Sequence, residues 1–268
     1  MTSFDQATYW RNRVSGKMGL GAVGHRSLGA AYNRWIYQRR VDVLNSLRNE
    51  AIKIDSDVRV LDLGCGSGFY ESYWQSRGVR HLTGVDISAQ NVATLQQTYP
   101  DYRFVESDLT KSTASIEGQQ DIVTLFDVLY HIVDDAAVCR VLGFCCAHLA
   151  KNGRLLIHEQ LVKRDYSLRE HVKFRGRNHF VDMLHSQGLE IVQEIPLFVL
   201  LVPPVYGNRL LDLLIAGVYY TAGLVFRAIP SAGSLAGRVA YAIDARLLKR
   251  GILTPNNSLY IVRRTRQQ

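Results

Sequence analysis

The chain has 268 residues, 47% of them apolar and 21% charged, with a formal net charge of +8. This composition is ordinary for a globular protein, excludes a low-complexity chain, and suits one large α/β domain with additions. Four cysteines, Cys65, Cys139, Cys145 and Cys146, show no metal or disulfide spacing and read as small buried thiols of a reducing cytosol.

The charge is unevenly placed. Residues 1–56 carry nine Lys/Arg against four Asp/Glu, residues 57–202 fourteen against eighteen, and residues 203–268 nine against two. Basic flanks around an acidic middle attract anionic partners: a phosphate-bearing substrate, nucleic acid or an anionic membrane face. Plain solubility accounts for the same charges. No N-terminal signal peptide is legible, because Met1–Gln6 is polar and no apolar run follows, so a cytoplasmic protein is expected.

Residues 1–56 read as an N-terminal lid or helical extension. The glycine-rich stretch up to about residue 30 is expected to be a loop, either a lid over a ligand or a surface linker. From Ala31 to Ala51, Ile36, Val43, Leu44 and Leu47 recur on one stripe, with Arg34, Arg39, Arg40 and Arg48 mainly elsewhere. That spacing predicts a helix packed on the domain that follows.

Residues 57–202 alternate short apolar runs with helical patterns. Strands are expected at Val58–Leu63, His81–Val85, Tyr102–Val105, Asp121–Phe126 and Arg154–His158. Helices are expected at Phe69–Arg77, at Ser88–Thr98 with Ser88 as N-cap, at Asp134–Leu149 and at Gly176–Gln187, with an extended run from Leu189 to Val202. The alternation predicts an α/β, doubly wound, mostly parallel sheet that binds ligands at its strand carboxyl ends. Pro203-Pro204 then opens an apolar, basic insertion over 203–257, expected to be helical. A last strand, Ser258–Arg263, begins the closing segment 258–268. Within the insertion, Leu213–Phe226 is uncharged throughout but shorter than the roughly twenty residues of a membrane span. A buried or interfacial helix is expected there.

The most informative stretch is Val60-Leu-Asp-Leu-Gly-Cys-Gly-Ser-Gly-Phe-Tyr70. It reads as strand, glycine loop, helix. Glycines at 64, 66 and 68 permit positive φ or close approach of a ligand, and the helix N–H groups face whatever sits on the loop. A dinucleotide fingerprint is disfavoured because Phe69 stands where a small residue is needed, and no P-loop lysine follows. Asp62 suits an ammonium group and would repel a phosphate. Asp86 ends the second strand, where a carboxylate can take both ribose hydroxyls. Gly84 before it and Ile87 after it leave room for an adenine edge. Asp108 ends the third strand after Glu106-Ser107, with an N-cap as its plain reading.

Taken together, residues 58–160 resemble the class I S-adenosylmethionine (SAM)-dependent methyltransferases, most of all the small-molecule branch that includes ubiquinone-biosynthesis O-methyltransferases. The resemblance rests on Val60–Phe69, Gly84–Ser88, Ser107–Leu109, Asp121–Ile132 and Leu149–Ile157. It implies a seven-stranded sheet whose last strand is antiparallel, and SAM as cofactor. It implies that Asp62, Gly64, Cys65, Gly66 and Gly68 hold the methionine part, that Asp86 and Ile87 meet the ribose and its neighbourhood, that Ser107, Asp108 and Leu109 frame the adenine, and that Phe126 packs beside the cofactor.

The acceptor would meet the methyl group at Phe126-Asp-Val-Leu-Tyr-His131. No proline clamps a planar amine there, which disfavours base methylation. His131 is the candidate general base for a hydroxyl acceptor, because imidazole titrates near neutrality. Tyr130, His158 and Glu159 are candidate substrate residues. His171, Arg175, Arg177 and His179 read chiefly as a solvated helix start. No metal spacing is evident, so metal-independent transfer is expected. The reading is thus methylation of a hydroxyl on a small molecule, glycan or lipid-linked intermediate, with no nucleic-acid partner favoured and peripheral membrane contact through 203–257. An RNA methyltransferase and a catalytically inactive SAM-binding module are the competing readings.

Overall fold

The computed structural model describes residues 8, 9, 24, 25, 27–47, 52, 54–111, 115–251 and 257–265. The order of elements is α1 (Gly29–Ser46), β1 (Arg59–Leu63), α2 (Phe69–Ser76), β2 (His81–Asp86), α3 (Ala89–Thr98), β3 (Arg103–Glu106) and β4 (Gln120–Phe126). A 3₁₀ turn at Leu129–His131 leads to α4 (Asp135–His148) and β5 (Leu149–Glu159). The chain continues with β6 (Tyr166–Arg169), β7 (Val172–Phe174), α5 (Arg177–Ser186), β8 (Leu189–Phe198), α6 (Arg209–Ala228), α7 (Pro230–Arg250) and β9 (Asn257–Arg264).

Seven strands form one sheet in the order β3-β2-β1-β4-β5-β9-β8. The pairs from β3 to β5 are parallel, whereas β9 runs antiparallel to both β5 and β8. Order reverses between β1 and β4, and a crevice opens at that switch point beyond their carboxyl ends. The central strands read as unbroken apolar runs because both faces are covered. On one face Val60, Trp74, Leu95 and Ile122 share a core with α1. On the other, Leu61, Leu63, Val123 and Leu125 pack with α4 and α5 residues such as Val138 and Phe180.

Local signals set the helix starts. The Ser88 hydroxyl accepts the Asn91 N–H at the head of α3, and the Asp134 carboxylate accepts N–H groups of Ala136 and Ala137 at the head of α4. The expected strands and helices of the core therefore fall within a few residues of their predicted bounds, apart from β5, which begins at Leu149. The β6–β7 hairpin is an addition that the sequence pattern did not announce: its strands are four and three residues long.

The two basic flanks form one layer. Pro230 starts α7 immediately after α6, and α7 lies along α1, with the Trp35 and Tyr241 rings 5.6 Å apart and Arg34 donating to the Ser234 hydroxyl. The predicted apolar stripe of α1, Ile36, Val43, Leu44 and Leu47, is buried. Arg40, expected mainly away from that stripe, is buried too, because it meets a partner inside. Of the expected N-terminal lid, Tyr9, Gly24, His25 and Ser27 are described; most of that stretch lies outside the described residues.

Candidate functional site

A cavity of about 860 Å³ occupies the crevice. Its floor is the glycine loop. Gly64 has φ +82°, and a Cβ there would stand 2.5 Å from a Val128 methyl, so only glycine lets the loop pass beneath the turn after β4. Gly64, Cys65 and Gly66 line the cavity. Gly68 does not; it is the left-handed N-cap of α2, packed against Leu95.

Three carboxyl groups underlie this floor. Asp62 is 1% exposed and takes the Thr124 hydroxyl at 2.5 Å. Its side chain is held beneath the cavity wall beside Glu71, which is fully buried on α2. Burial pushes Asp62 up to about 6, against hydrogen bonds from Thr124 and Glu71 that pull it down, and burial together with the Asp62 charge pushes Glu71 well above the carboxylate range, so Glu71 is the protonated partner. Asp86 accepts N–H groups from Gly66 and Ser88, both at 2.9 Å, and still faces the cavity. Burial raises its pKa while these N–H groups pull it down. Each of its oxygens keeps a lone pair for a further donor.

Next along the wall, Ile87, Ser107, Asp108 and Leu109 follow one another. Asp108 Oδ1 takes both the N–H (3.0 Å) and the hydroxyl (2.6 Å) of Thr110. Its Oδ2 is buried without a hydrogen-bond partner among the described residues, with Lys111 Nζ 3.5 Å away. The floor thus offers buried acid under a glycine cradle, a carboxylate with spare acceptor capacity, and an orphan acceptor at the far end. These features fit an ammonium, a ribose diol and an exocyclic amine in that order, and they fit SAM.

The acceptor end is built differently. Phe126 reaches the wall and its ring packs 4.3 Å from Tyr70. Asp127 follows with φ +63°, a conformation that costs a non-glycine residue on the order of 1 kcal/mol or more. It is held there by Arg40 Nη1 at 2.7 Å and His158 Nδ1 at 2.7 Å. Against the cost of burial, Arg40 first and then His158 keep the Asp127 carboxyl well below the usual range. Burial lowers the His158 pKa, so its ring is neutral at pH 7 despite that neighbour.

Tyr130 and His131 stand on the 3₁₀ turn and both line the cavity, their rings 4.3 Å apart. The turn is gripped from behind by Arg175, which is completely buried. Its guanidinium donates to the carbonyls of Leu129 (3.0 Å) and Ile132 (2.6 Å) and to Asp135 (3.0 Å). The cavity's remaining wall comes from Phe174 and His171 of the β6–β7 region, from Val202–Val205, and from Ala216 and Tyr220 of α6. Tyr9 stacks on His171 with ring centroids 4.7 Å apart.

Two expectations are corrected here. His158 and Glu159 do not line the cavity; each is 1% exposed, because β9 pairs with this end of β5 and covers it. His158 supports Asp127 from the interior. Glu159 takes the Gln160 N–H, and burial pushes it up to about 8. Arg175 is no solvated helix start, although Arg177 and His179 are partly exposed, Arg177 pairing with Glu194 and His179 with Asp165.

Sequence reasoning missed Arg40, Glu71, Asp127 and Arg175. Asp127 carried a signal, since it is an acid at the end of a fourth strand. The others carried none. Asp135, Asp165 and His179 bring ligand atoms within 4.8 Å of one another, but the Lys173 ammonium already stands 2.6 Å from Asp135 and 3.2 Å from Asp165.

A family model described as a methyltransferase domain matches residues 33–194. The ubiquinone biosynthesis O-methyltransferase of Bordetella parapertussis is 35% identical over 118 residues, covering 42% of this chain and 46% of the relative. The protein of the same name from Marinobacter nauticus is 34% identical over 156 residues, covering 50% and 64%. The chain spans about half the length of the curated relatives it matches. Among solved structures, it is similar to the DhpI–SAH complex, with a TM-score of 0.56 at 14% identity over 98% of this chain and 96% of that one. It is also similar to the N-methyltransferase NodS from Bradyrhizobium japonicum, with a TM-score of 0.54 at 14% identity over 73% and 92%. At these identities the structures carry the fold alone.

Proposed function

We propose an acceptor class for this chain, which belongs to the methyltransferase-domain family, has the class I fold and draws its methyl group from S-adenosylmethionine. The acceptor is a hydroxyl on a small molecule, a glycan or a lipid-linked intermediate. One observation carries this reading: an imidazole, His131, stands in the cavity wall on a turn that a buried guanidinium holds rigid. The names of the curated relatives, O-methyltransferases, support the same atom type.

When bound, SAM supplies an electrophilic methyl carbon on sulfur. Asp62 does not line the cavity; from below the loop its charge acts through the glycine cradle and favours the ammonium of the methionine part. Asp86 takes the ribose diol, and Asp108 the adenine amine. His131 orients the acceptor hydroxyl and takes its proton as the oxygen gains the methyl group. Tyr130 and Phe174, with ring centroids 6.0 Å apart, give a flat surface for the acceptor's body beside it.

The test has two parts. Incubation of the protein with labelled SAM and fractionated cell extract identifies what acquires the label; base hydrolysis reveals methyl esters, and nuclear magnetic resonance of the isolated product distinguishes a methyl on oxygen from one on nitrogen. With that acceptor, His131→Ala should lower kcat by about 10²-fold or more while SAM affinity by calorimetry stays within about twofold. Label on nitrogen, or full turnover by the variant, overturns the reading.

A further inference from the structure

The α6–α7 hairpin presents a surface that the methyl-transfer chemistry does not use. On α6 the side chains of Leu210, Leu214 and Val218 are 71%, 61% and 66% exposed. At 100° per residue they share one face with Leu213, Leu224 and Val225, which are also exposed. On α7, Leu235, Val239 and Ile243 recur at four-residue spacing, again exposed. On α7, Arg238, Arg246, Lys249 and Arg250 stand beside this apolar strip, all exposed.

The acids of the hairpin are turned away. Asp212 is 3% exposed and accepts the N–H groups of Tyr206 and Gly207; Asp244 is 0% exposed and accepts those of Val199, Leu200 and Leu201. Both carboxylates are consumed in fixing the incoming chain. Among the described residues of the hairpin, no carboxylate remains outward.

By length and composition α6 could cross a membrane. Its packing opposes that. Near its C-terminal end, Gly223 touches the backbone so closely that a Cβ would meet the Ser27 carbonyl at 2.0 Å, and the Phe226 ring stacks on Tyr32 of α1 at 5.3 Å. Near its N-terminal end, Asp212 holds the approach loop. Both ends thus lie against the domain, and α7 returns along α1. A helix so tied lies along a surface.

We propose that the exposed face of the α6–α7 hairpin docks on an anionic lipid bilayer, with α6 lying in the plane of the interface. Apolar side chains flanked by cations match acyl chains beneath anionic headgroups. The placement has a consequence. Ala216 and Tyr220, along the edge of α6 beside this face, line the cavity, so the docked helix would bring the cavity next to the membrane surface. The proposal rests on this surface alone and holds whichever atom is methylated.

Flotation of the full chain with vesicles tests it. Vesicles of phosphatidylcholine mixed with phosphatidylglycerol should carry the protein up, and vesicles of phosphatidylcholine alone should carry roughly tenfold less. Added salt should weaken the anionic binding. L214E/V218E should leave the protein in the soluble fraction, and R238E/K249E/R250E should lower the partition coefficient roughly tenfold or more. SAM affinity and the circular dichroism melt of each variant, both unchanged, show that it is folded. The proposal is overturned if the wild-type chain stays soluble with both vesicle types or binds them equally. It is also overturned if light scattering shows a dimer without lipid that L214E/V218E converts to monomer, since the face would then belong to a second copy.

Discussion

The two halves of the cavity hold their functional groups by different means. The cofactor half is a set of adjacent strand ends, β1, β2 and β3, each closing in an acid that is fixed by backbone N–H groups or a hydroxyl a few residues or one strand away. The acceptor half draws on parts of the chain far apart. Arg40 comes from α1, Asp127 from the turn after β4, His158 from β5, Arg175 from the loop before α5, and Tyr220 from α6. Side-chain ion pairs and hydrogen bonds hold these together where backbone pairing cannot. A common cofactor asks for the same local frame, whereas an acceptor pocket is assembled from whatever long-range contacts the additions supply.

The difference predicts that the acceptor half can be broken without touching the cofactor half. The largest effect is expected for Arg40→Leu. It leaves the Asp127 carboxylate almost buried and deprived of its strongest partner, which should cost about 4 kcal/mol of stability. For a chain of this size the melting midpoint should fall by about 10 °C. Adding Asp127→Asn should recover part of that loss, because the double variant removes the stranded charge. SAM affinity in the folded protein should change by less than about threefold. A single variant as stable as wild type would refute the role given to the Arg40–Asp127 pair, and one that loses SAM binding while folded would show that the two halves are not separable.

A second consequence of building with buried side chains is a pH signature. Glu159 titrates near 8 in the folded chain because burial disfavours its charged form, against about 4.5 when unfolded. Between these values the folded state holds a proton that the unfolded state has lost. The stabilisation is complete below the unfolded pKa and disappears as pH rises through the folded one. Glu159→Gln should abolish this share of the slope, a difference on the order of 2–3 kcal/mol in unfolding free energy between about pH 5 and about pH 7. Asp62, Glu71 and Asp86 are also raised and slope the same way, so the comparison with wild type isolates Glu159. Parallel stability–pH curves for the two proteins refute the assignment.

What was legible in the sequence follows the same division. Val60–Phe69 shows its strand, turn and helix in ten consecutive residues, because glycine spacing and apolar runs are local signals. Asp86 and Asp108 are readable because each ends an apolar run. His131 is readable because it follows β4 directly. Arg40 was placed off the apolar stripe by its charge, and helical spacing could not say that Asp127 waits opposite. Arg175 lies among four cationic or imidazole residues that look alike in sequence; only the fold distinguishes the buried clamp from Arg177 and His179. His158 and Glu159 were expected to reach the pocket because they end a strand, as Asp86 does. They fail to do so because β9, about a hundred residues later, covers that strand end. The β6–β7 hairpin was invisible because its strands are too short to show a period.

Within the cofactor half, the prediction is that each acid acts locally and independently. Asp86→Asn should weaken SAM by about 2 kcal/mol, since one of its oxygens becomes a donor facing a diol that also donates. Calorimetry reads this directly, and an unchanged affinity would remove Asp86 from the ribose.

The smallest effect, about 1 kcal/mol, is expected at Asp108, and it is the most specific. Thr110 already engages Oδ1 twice, so the residue's orientation is set before any ligand arrives. An Asn at this position keeps its oxygen toward Thr110, which offers two donors, and must turn its amide nitrogen outward. A donor then faces the adenine amine, itself a donor. Asp108→Asn should therefore bind S-adenosylhomocysteine several-fold more weakly but bind the S-inosyl analogue more tightly than wild type does, because inosine presents a carbonyl at that edge. Equal losses for both ligands would mean that Asp108 merely caps its own loop. A reversal of preference would place the base edge against Oδ2, a buried acceptor that the fold itself leaves without a hydrogen bond among the described residues.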